Sequence, residues 1–187
     1  MLHPTYPLKT ERLLLRPITD ADFDDLFAFQ SDPEVARYVM WETRTEATMR
    51  EALAKKAGDT RLEREGDELS LAVVAPPGDR VIGEVGLVWV SERNGVGELG
   101  YVFHPGHHGR GYGREAAREL LRVAFEDAGL HRVIARCDAR NTASWRLMAG
   151  LGMRCEAHFV RNEWFKGEWA DELVYGMLAE EWPPAHA

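Results

Sequence analysis

The chain has few cysteines and no long apolar run, and each shortage excludes a class of protein. Cys137 and Cys155 are the only cysteines among 187 residues, too few for a disulfide framework. We expect reduced thiols on strands, although a bond between the two stays open. Apolar residues make up 45% of the chain, yet no stretch approaches the ~20 residues that span a bilayer. The opening Met-Leu-His-Pro-Thr-Tyr-Pro lacks a basic region followed by an apolar one, so we expect a soluble, cytoplasmic protein without a secretion signal.

Basic residues are outnumbered by acidic ones. The chain has 31 Asp and Glu against 23 Lys and Arg, a formal net charge of −8. This balance argues against a nucleic-acid partner and suits a cationic acceptor such as an amine, although an acidic surface also serves solubility. No His, Cys or carboxylate cluster has metal-ligand spacing, and no G-x-S-x-G elbow occurs. The sequence therefore predicts no metal site and gives no support to a serine hydrolase.

A glycine-rich segment is the most informative feature that is present. Residues 107–118 join a predicted strand, which stops at Pro105, to a predicted helix, and residues 109–113 have glycine at every other position. Alternating glycines let several backbone N–H groups point one way, and the positive end of the following helix adds to the same place. Arg110 and Arg114 add full charges. The segment therefore predicts an anion site.

Two nucleotide-binding alternatives fit this segment less well. A P-loop needs Lys-Ser or Lys-Thr after its last glycine, whereas Gly106–Gly111 is followed by Tyr112. The dinucleotide pattern G-x-G-x-x-G fails because Arg114 stands where its third glycine belongs. A purely geometric turn stays open as an alternative.

The segment instead resembles the pyrophosphate-binding signature of the GNAT acyltransferases, Q/R-x-x-G-x-G/A, with His108 in place of the usual Gln or Arg. The run that ends in Glu115-Ala116 resembles the branch that acetylates the N-termini of ribosomal proteins. The resemblance implies that acetyl-CoA is the co-substrate and that its pyrophosphate lies over the turn. The residues implied for coenzyme A there are His108, Gly109, Arg110, Gly111, Tyr112, Gly113 and Arg114.

Two further segments carry the same resemblance. Asn141–Met153 resembles the family's N-x-x-S, helix and Gly-Phe stop, with Met153 in place of the aromatic residue. Leu8–Pro17 and Ser31–Glu34 resemble the opening strand and second helix of the same branch. The resemblance thus covers nearly the whole chain.

The predicted fold follows from these segments. A strand-helix-strand order around residues 97–137 requires a parallel pair, because a crossover helix returns the chain in the same direction. The resemblance implies a single α/β (α+β) domain over 1–187: a mixed, mostly antiparallel twisted sheet of about seven strands with a splayed parallel pair, and four to five helices. The predicted strands are 11–16, 69–75, 80–90, 97–104, 132–137, 154–164 and 169–178, and the predicted helices begin at 19, 33, 45, 110 and 141.

Acetyl transfer from a thioester to an amine needs an oxyanion donor and a group that helps the thiolate to leave. The resemblance implies that pantetheine lies in the splay beside the backbone of Tyr101, Val102 and Phe103, and that an N–H near Val102 or Phe103 binds the oxyanion. Many relatives place a proton-donating Tyr seven residues after the Asn, where this chain has Met148. We expect Ser144 to replace it by a hydrogen bond to sulfur.

The sequence leaves alternatives open for the role of Asn141 and for the identity of the base. Asn141 would hold a pantetheine amide or a nearby backbone group, with helix capping as the alternative. By the resemblance, Glu98 and Glu163 are the candidate bases, whereas we expect Glu84 to be a solvated or paired surface charge. A histidine, His104 or His107, or no base at all, is also open, since an α-amine with a pKa near ~8 is partly neutral.

The predicted function is transfer of an acetyl group from acetyl-CoA to a primary amine in a ternary complex. The N-terminal α-amine of a ribosomal or other protein is one acceptor; an aminoglycoside, a polyamine or an amino acid is the alternative. A sensor module that binds acyl-CoA without catalysis, and a longer acyl group such as succinyl, also stay open. We expect Trp41, Trp89 and Trp164 nearest the acceptor groove, no nucleic-acid or membrane partner, and a homodimer.

Overall fold

A computed structural model describes residues 1–183 and shows eight strands in one sheet. The strands are β1 (Leu8–Lys9), β2 (Leu14–Pro17), β3 (Glu68–Val74), β4 (Val81–Ser91), β5 (Val96–Phe103), β6 (Arg132–Asp138), β7 (Arg154–Phe165) and β8 (Glu168–Leu178). Their order is β1-β2-β3-β4-β5-β6-β8-β7, and only β5 and β6 are parallel. The predicted mixed sheet is confirmed, with one strand more than expected. Residues 184–187 of the predicted domain lie outside the described residues.

Five α-helices accompany the sheet in the described residues: α1 (Phe23–Gln30), α2 (Pro33–Ala36), α3 (Glu46–Lys56), α4 (Tyr112–Arg122) and α5 (Thr142–Gly150). Asp32 and Thr45 cap α2 and α3 through side-chain oxygens that accept backbone N–H groups. The predicted start of α4 at Arg110 is wrong by two residues, because Gly111 is left-handed and forms the N-cap. Between residues 1 and 183, no helix is both long and apolar enough to cross a bilayer.

The predicted first strand over residues 11–16 is also wrong in its extent. The chain makes two short strands, β1 and β2, with a tight turn between them. In that turn Thr10 Oγ1 accepts a hydrogen bond from the Leu13 N–H at 3.0 Å, and the Thr10 N–H donates to the Leu13 carbonyl at 3.0 Å. A Thr hydroxyl that bonds to nearby backbone competes with strand pairing, which explains the interruption.

Successive side chains of β3 point to opposite faces of the sheet, and both faces are buried. Leu69, Leu71 and Val73 belong to the core that includes the inner residues of α4 and α5, whereas Ala72 and Val74 pack with α1 and α3. Each fully buried leucine stabilises the fold by roughly 2 kcal/mol. The sheet thus has a helical layer on each face.

The parallel pair separates soon after it begins. Val96 pairs with Arg132, Gly97 with Val133 and Glu98 with Ile134, and no later residue of β5 pairs with β6 in the described chain. Residues 101–103 therefore present backbone groups to an open gap on the β6 side. The predicted splay is confirmed, and it places a gap at the carboxyl ends of two parallel strands, where ligands bind in open α/β sheets.

Candidate active site

A cleft with two halves occupies this gap. The smaller half, about 630 Å³, lies over residues 107–114 and the start of α5, and we call it the glycine-turn half. The larger, about 820 Å³, lies over β4, β5 and β6 beside Glu68, Glu84, Glu98 and Glu163, and we call it the carboxylate half. The residues that line both halves are Tyr38, Val39, Tyr101, Val102, Asn141 and Ser144.

Backbone forms the surface of the glycine-turn half. Gly109 and Gly111 have φ angles of +74° and +80°, which residues with a Cβ rarely adopt. The first-turn N–H groups of α4 have no partner inside the helix, and here they lie beside the cleft together with the positive end of the helix dipole. The structure thus brings together the elements that the sequence predicted for an anion site.

Not every predicted residue of the turn faces the cleft. The predicted residues that line the glycine-turn half but not the carboxylate half are Phe103, His108, Gly109, Gly111, Tyr112, Gly113 and Arg114. Arg110 is not part of that lining in the described chain. It is exposed, and its carbonyl accepts a hydrogen bond from Arg12 Nη1 at 3.0 Å. His108 Nε2 makes a 3.0 Å hydrogen bond to the Phe103 carbonyl. The histidine at the divergent position thus ties the turn to the end of β5.

A clamp formed by Arg12 and Glu115 supports the turn from outside. Arg12 Nε and backbone N–H donate to the Glu115 carboxylate at 2.7 and 2.8 Å, and Thr10 Oγ1 donates to it at 2.6 Å. The Arg12 guanidinium also lies 4.9 Å from the centre of the Tyr112 ring. Burial alone would raise the pKa of Glu115, but the hydrogen bonds from Thr10 and Arg12 outweigh it and lower the pKa. The clamp is therefore charged at neutral pH.

Two hydroxyl groups meet where the halves join. Tyr101 Oη lies 3.0 Å from Ser144 Oγ and 3.1 Å from the Ser144 carbonyl oxygen. Burial raises the pKa of Tyr101 well above its ordinary value, and the hydrogen bond to Ser144 opposes only part of that effect. The phenol is therefore neutral throughout the physiological range.

Asn141 performs the capping role that the sequence left open. Its Oδ1 accepts a hydrogen bond from the Ser144 N–H at 3.2 Å, which caps α5. It also lines both halves of the cleft. Because an Asn amide carries two further donors, capping by Oδ1 does not prevent its Nδ2 from reaching a ligand.

Two glycines leave the floor of the carboxylate half without side chains at its centre. Gly86 of β4 and Gly100 of β5 are direct cross-strand partners, and both line the cleft. A Cβ on Gly100 would meet no atom within 4 Å. Glu68, Glu84 and Glu98 surround this floor on β3, β4 and β5. The half therefore offers open volume whose charged lining has seven carboxylates against four basic side chains, Arg44, Lys55, Lys56 and Arg136.

Glu84 differs from its predicted place on the surface. Its residue is only 7% exposed; its carboxylate forms an ion pair with the Lys56 ammonium and accepts a hydrogen bond from Gln30 Nε2 at 3.0 Å. The sequence prediction of pairing holds, but the pair is buried, because α1 and α3 cover this part of β4. A carboxylate occupied by two partners is a poor base.

Glu98 and Glu163 both line the carboxylate half, so the structure brings the two candidate bases into one cleft. Burial raises the pKa of Glu98; Arg136, whose Nε is 3.6 Å away, opposes the increase, and nearby Glu172 adds to it. A raised pKa makes Glu98 a stronger base than an ordinary glutamate. Glu163 lies on β7 at the position paired with Ala170.

The three predicted groove tryptophans occupy different places. Trp41 lines the carboxylate half, and Lys166 Nζ donates to the Ala36 and Trp41 carbonyls at 2.5 and 2.8 Å, which holds residues 36–41 against the β7–β8 turn. Trp89 packs against the core, so its predicted place in the groove is wrong. Trp164 is 61% exposed and contacts Trp169 edge-on, because both belong to the outer hairpin.

The two predicted histidine bases do not face the acceptor side. His104 Nδ1 accepts the Gly106 N–H at 3.0 Å, and His107 lines the glycine-turn half, where burial and then Arg110 lower its pKa. Cys137 and Cys155 are free thiols, as expected. Across residues 1–183 no group of three His, Cys, Asp or Glu side chains could hold a metal ion.

Sequence reasoning missed two features of the site. It assigned backbone contacts to Tyr101 but overlooked the phenol, and it assigned no partner to Glu115. The Gly-Tyr pair of β5 and the Thr-x-Arg of the N-terminal segment were the available signals, but neither indicates which distant residue it contacts.

Comparisons with known proteins identify the family of this chain. A family model described as the GNAT acetyltransferase domain matches residues 12–154. The uncharacterized N-acetyltransferase YnaD of Bacillus subtilis (strain 168) is 31% identical over 175 residues, which cover 94% of this chain and 98% of that protein. Both matches include the glycine turn and the Asn141 segment.

Solved structures are similar over the same length. The GNAT-family acetyltransferase from Bacillus anthracis has a TM-score of 0.83 at 30% identity, covering 93% of this chain and 99% of that one. Spermidine N-acetyltransferase from Vibrio cholerae, in complex with CoA and spermine, has a TM-score of 0.78 at 20% identity, covering 92% and 99%. The second likeness concerns the fold alone.

Proposed function

Because this chain belongs to the GNAT acetyltransferases and is an N-acetyltransferase, we propose that it transfers an acetyl group from acetyl-CoA to a primary amine within one ternary complex. The observation that carries the proposal is the shared wall of the cleft. An anion-binding backbone half and a carboxylate half meet at Tyr101, Val102, Asn141 and Ser144. A thioester bound in one half would thus present its carbonyl carbon to an amine bound in the other.

Coenzyme A occupies the glycine-turn half. Its pyrophosphate accepts hydrogen bonds from the N–H groups around Gly109–Gly113, and Arg114 at the rim adds charge. Its pantetheine arm enters the splay along β5. Because His108 already binds the Phe103 carbonyl, its contribution is to hold the turn in place rather than to contact phosphate.

The reaction takes place where the two halves of the cleft join. The neutral amine attacks the thioester carbon, a C–N bond forms, and a backbone N–H near Val102 or Phe103 stabilises the oxyanion. The C=O bond then re-forms and the C–S bond breaks, so that the electron pair leaves on sulfur. Ser144 donates a hydrogen bond to the thiolate, and the extra proton of the amine passes to Glu98, Glu163 or water.

A small cationic amine is the acceptor that the carboxylate half favours. Carboxylates border its floor, Trp41 provides an aromatic wall, and Lys166 holds the segment above it. These features would attract an ammonium group and exclude bulk water. The α-amine of a ribosomal or other protein is the second candidate, and its N-terminal residues would have to enter beneath that segment.

An acceptor screen tests the function. Purified protein is incubated with acetyl-CoA and, in turn, spermidine, an aminoglycoside, an amino acid and short peptides with free α-amines, and free thiol is followed. Mass spectrometry then identifies the acetylated product. We expect acetylation of at least one small amine above the peptides. Binding of CoA without transfer to any amine would contradict catalysis and leave the acyl-CoA sensor.

Two parallel measurements complete the screen. Succinyl-CoA replaces acetyl-CoA to define the acyl group, and we expect acetyl to be preferred. Light scattering measures the mass in solution, for which we propose a homodimer.

A further inference from the structure

We propose that Tyr101 is a positioning residue for the departing sulfur: its phenol donates to Ser144 Oγ and thereby directs the Ser144 hydroxyl hydrogen into the cleft. The inference rests on the proposed acetyl transfer. It concerns how this chain compensates for methionine at position 148.

The geometry restricts the Ser144 hydroxyl. Tyr101 Oη lies 3.0 Å from Ser144 Oγ, the Cys137 thiol is a second hydrogen-bonding neighbour of that hydroxyl, and the phenol has a single hydrogen to donate. If that hydrogen goes to the Ser144 carbonyl, the phenol oxygen can accept the Ser144 hydrogen, which then does not reach the cleft. If it goes to Oγ, the Ser144 hydrogen cannot point back at the phenol and is directed to the Cys137 sulfur or into the cleft. A developing thiolate favours the second arrangement, because only that one gives sulfur a donor.

Other groups near the junction do not replace this pair. Met148 is fully buried and belongs to the core, and a thioether has no hydrogen to donate. Burial raises the pKa of the Cys137 thiol to about 11, and a hydrogen bond with Ser144 opposes only part of that effect, so the thiol stays protonated and is only a weak donor. Tyr101 is held neutral in the same way, which keeps it a hydrogen-bond donor at every working pH.

The pair need not lose a proton. Sulfur leaves as the thiolate with the electron pair of the C–S bond, Ser144 donates a hydrogen bond to it, and Tyr101 donates to Ser144. The amine proton goes to the base or water, so the products are amide, thiolate and one proton. A chain of two hydroxyls polarises the outer hydrogen bond and strengthens it.

Binding of CoA itself tests the inference without any knowledge of the acceptor. Calorimetry compares CoA with desulfo-CoA between pH ~7 and ~9.5, a range in which a thiol with an ordinary pKa becomes charged. In the parent protein the preference for CoA should increase with pH. In Tyr101→Phe and Ser144→Ala this increase should be about tenfold smaller, the value of one hydrogen bond to a charged group.

The double variant and a control sharpen the test. The double variant Tyr101→Phe, Ser144→Ala should lose no more of the pH-dependent preference for CoA than Ser144→Ala alone, because the phenol acts through the serine. Tyr6→Phe is the matched control: Tyr6 Oη donates to the Thr60 carbonyl at 2.9 Å outside the lining of either half. It removes a half-buried phenol and should leave the thiolate preference unchanged.

The outcomes separate the inference from the proposed function. A protein that does not bind CoA contradicts both. A pH-dependent preference for CoA that Tyr101→Phe leaves intact overturns the inference alone, as do additive losses in the double variant. With an acceptor identified, Tyr101→Phe should lower kcat about tenfold and leave the KM for acetyl-CoA unchanged.

Discussion

The two halves of the cleft offer different kinds of polar group to a ligand. In the glycine-turn half, the groups beside the cleft are backbone N–H groups whose direction is set by left-handed Gly109 and Gly111. In the carboxylate half, they are side chains, Glu98 and Glu163 among them, above a glycine floor. Backbone recognition tolerates changes of side chain, whereas side-chain recognition changes with each substitution. One fold can therefore keep its donor and vary its acceptor.

The largest effect should come from changing the backbone half. Gly111→Val places a β-branched residue at a φ of +80° and should weaken CoA binding at least tenfold, about 1.4 kcal/mol, in calorimetry. Gly129→Val is the control, because Gly129 has a φ of +66° but lies outside the lining of either half. Equal CoA affinity in folded Gly111→Val protein would place the phosphate site elsewhere.

Ser144→Ala addresses the junction. Ser144 lies past the cap of α5, and without its hydroxyl the Tyr101 phenol can still donate to the Ser144 carbonyl, so we expect a nearly unchanged melting temperature. Turnover should fall by roughly tenfold if the hydroxyl assists the thiolate. Equal turnover in variant and parent would assign that assistance to water.

The carboxylate half should respond to pH and salt. Glu98 can act as a base only when its carboxylate is deprotonated, and burial raises its pKa. As the pH is lowered, the parent protein should therefore lose rate at a higher pH than it would if the base were an ordinary glutamate. If Glu98 is the base, the rate of Glu98→Gln should be several-fold below that of the parent at low pH. The difference should shrink as the pH rises and more of the amine becomes neutral. Pre-steady-state rates across pH at fixed salt measure this.

Glu163→Gln is the matched variant. If Glu163 only attracts the ammonium group, its loss should raise the acceptor KM, and added salt should reduce the difference. If neither glutamate changes rate or KM, both are structural charges, and proximity of a neutral amine accounts for transfer.

The smallest effect should come from the clamp. Arg12→Gln removes a half-exposed ion pair worth about 1 kcal/mol, so CoA affinity should fall about fivefold. Arg80→Gln breaks a more exposed pair with Asp25, neither residue of which lines either half, and should leave CoA affinity unchanged. An effect of Arg12→Gln no larger than that of Arg80→Gln would show that the turn needs no support from outside.

Local patterns predicted most of the fold. Asp32-Pro33 and Thr45 marked the starts of α2 and α3 because a capping oxygen acts within one turn of its own helix. The interruption at Thr10 was missed, because the hydroxyl that bonds to Leu13 is also held by Glu115, more than a hundred residues away, and no local pattern shows that contact. The burial of Glu84 was missed for the same reason: Lys56 and Gln30 belong to other elements.

The order of residues was enough to predict the glycine turn, the parallel pair and the family, because glycine spacing, caps and crossover order act through neighbouring residues. Three features follow from the folded chain alone: Arg110 is outside the cleft lining, Trp89 belongs to the core, and the Tyr101 phenol contacts Ser144. Each of these depends on how a side chain packs against a distant element. That packing is set by the three-dimensional arrangement of the sheet and helices, which no local pattern contains.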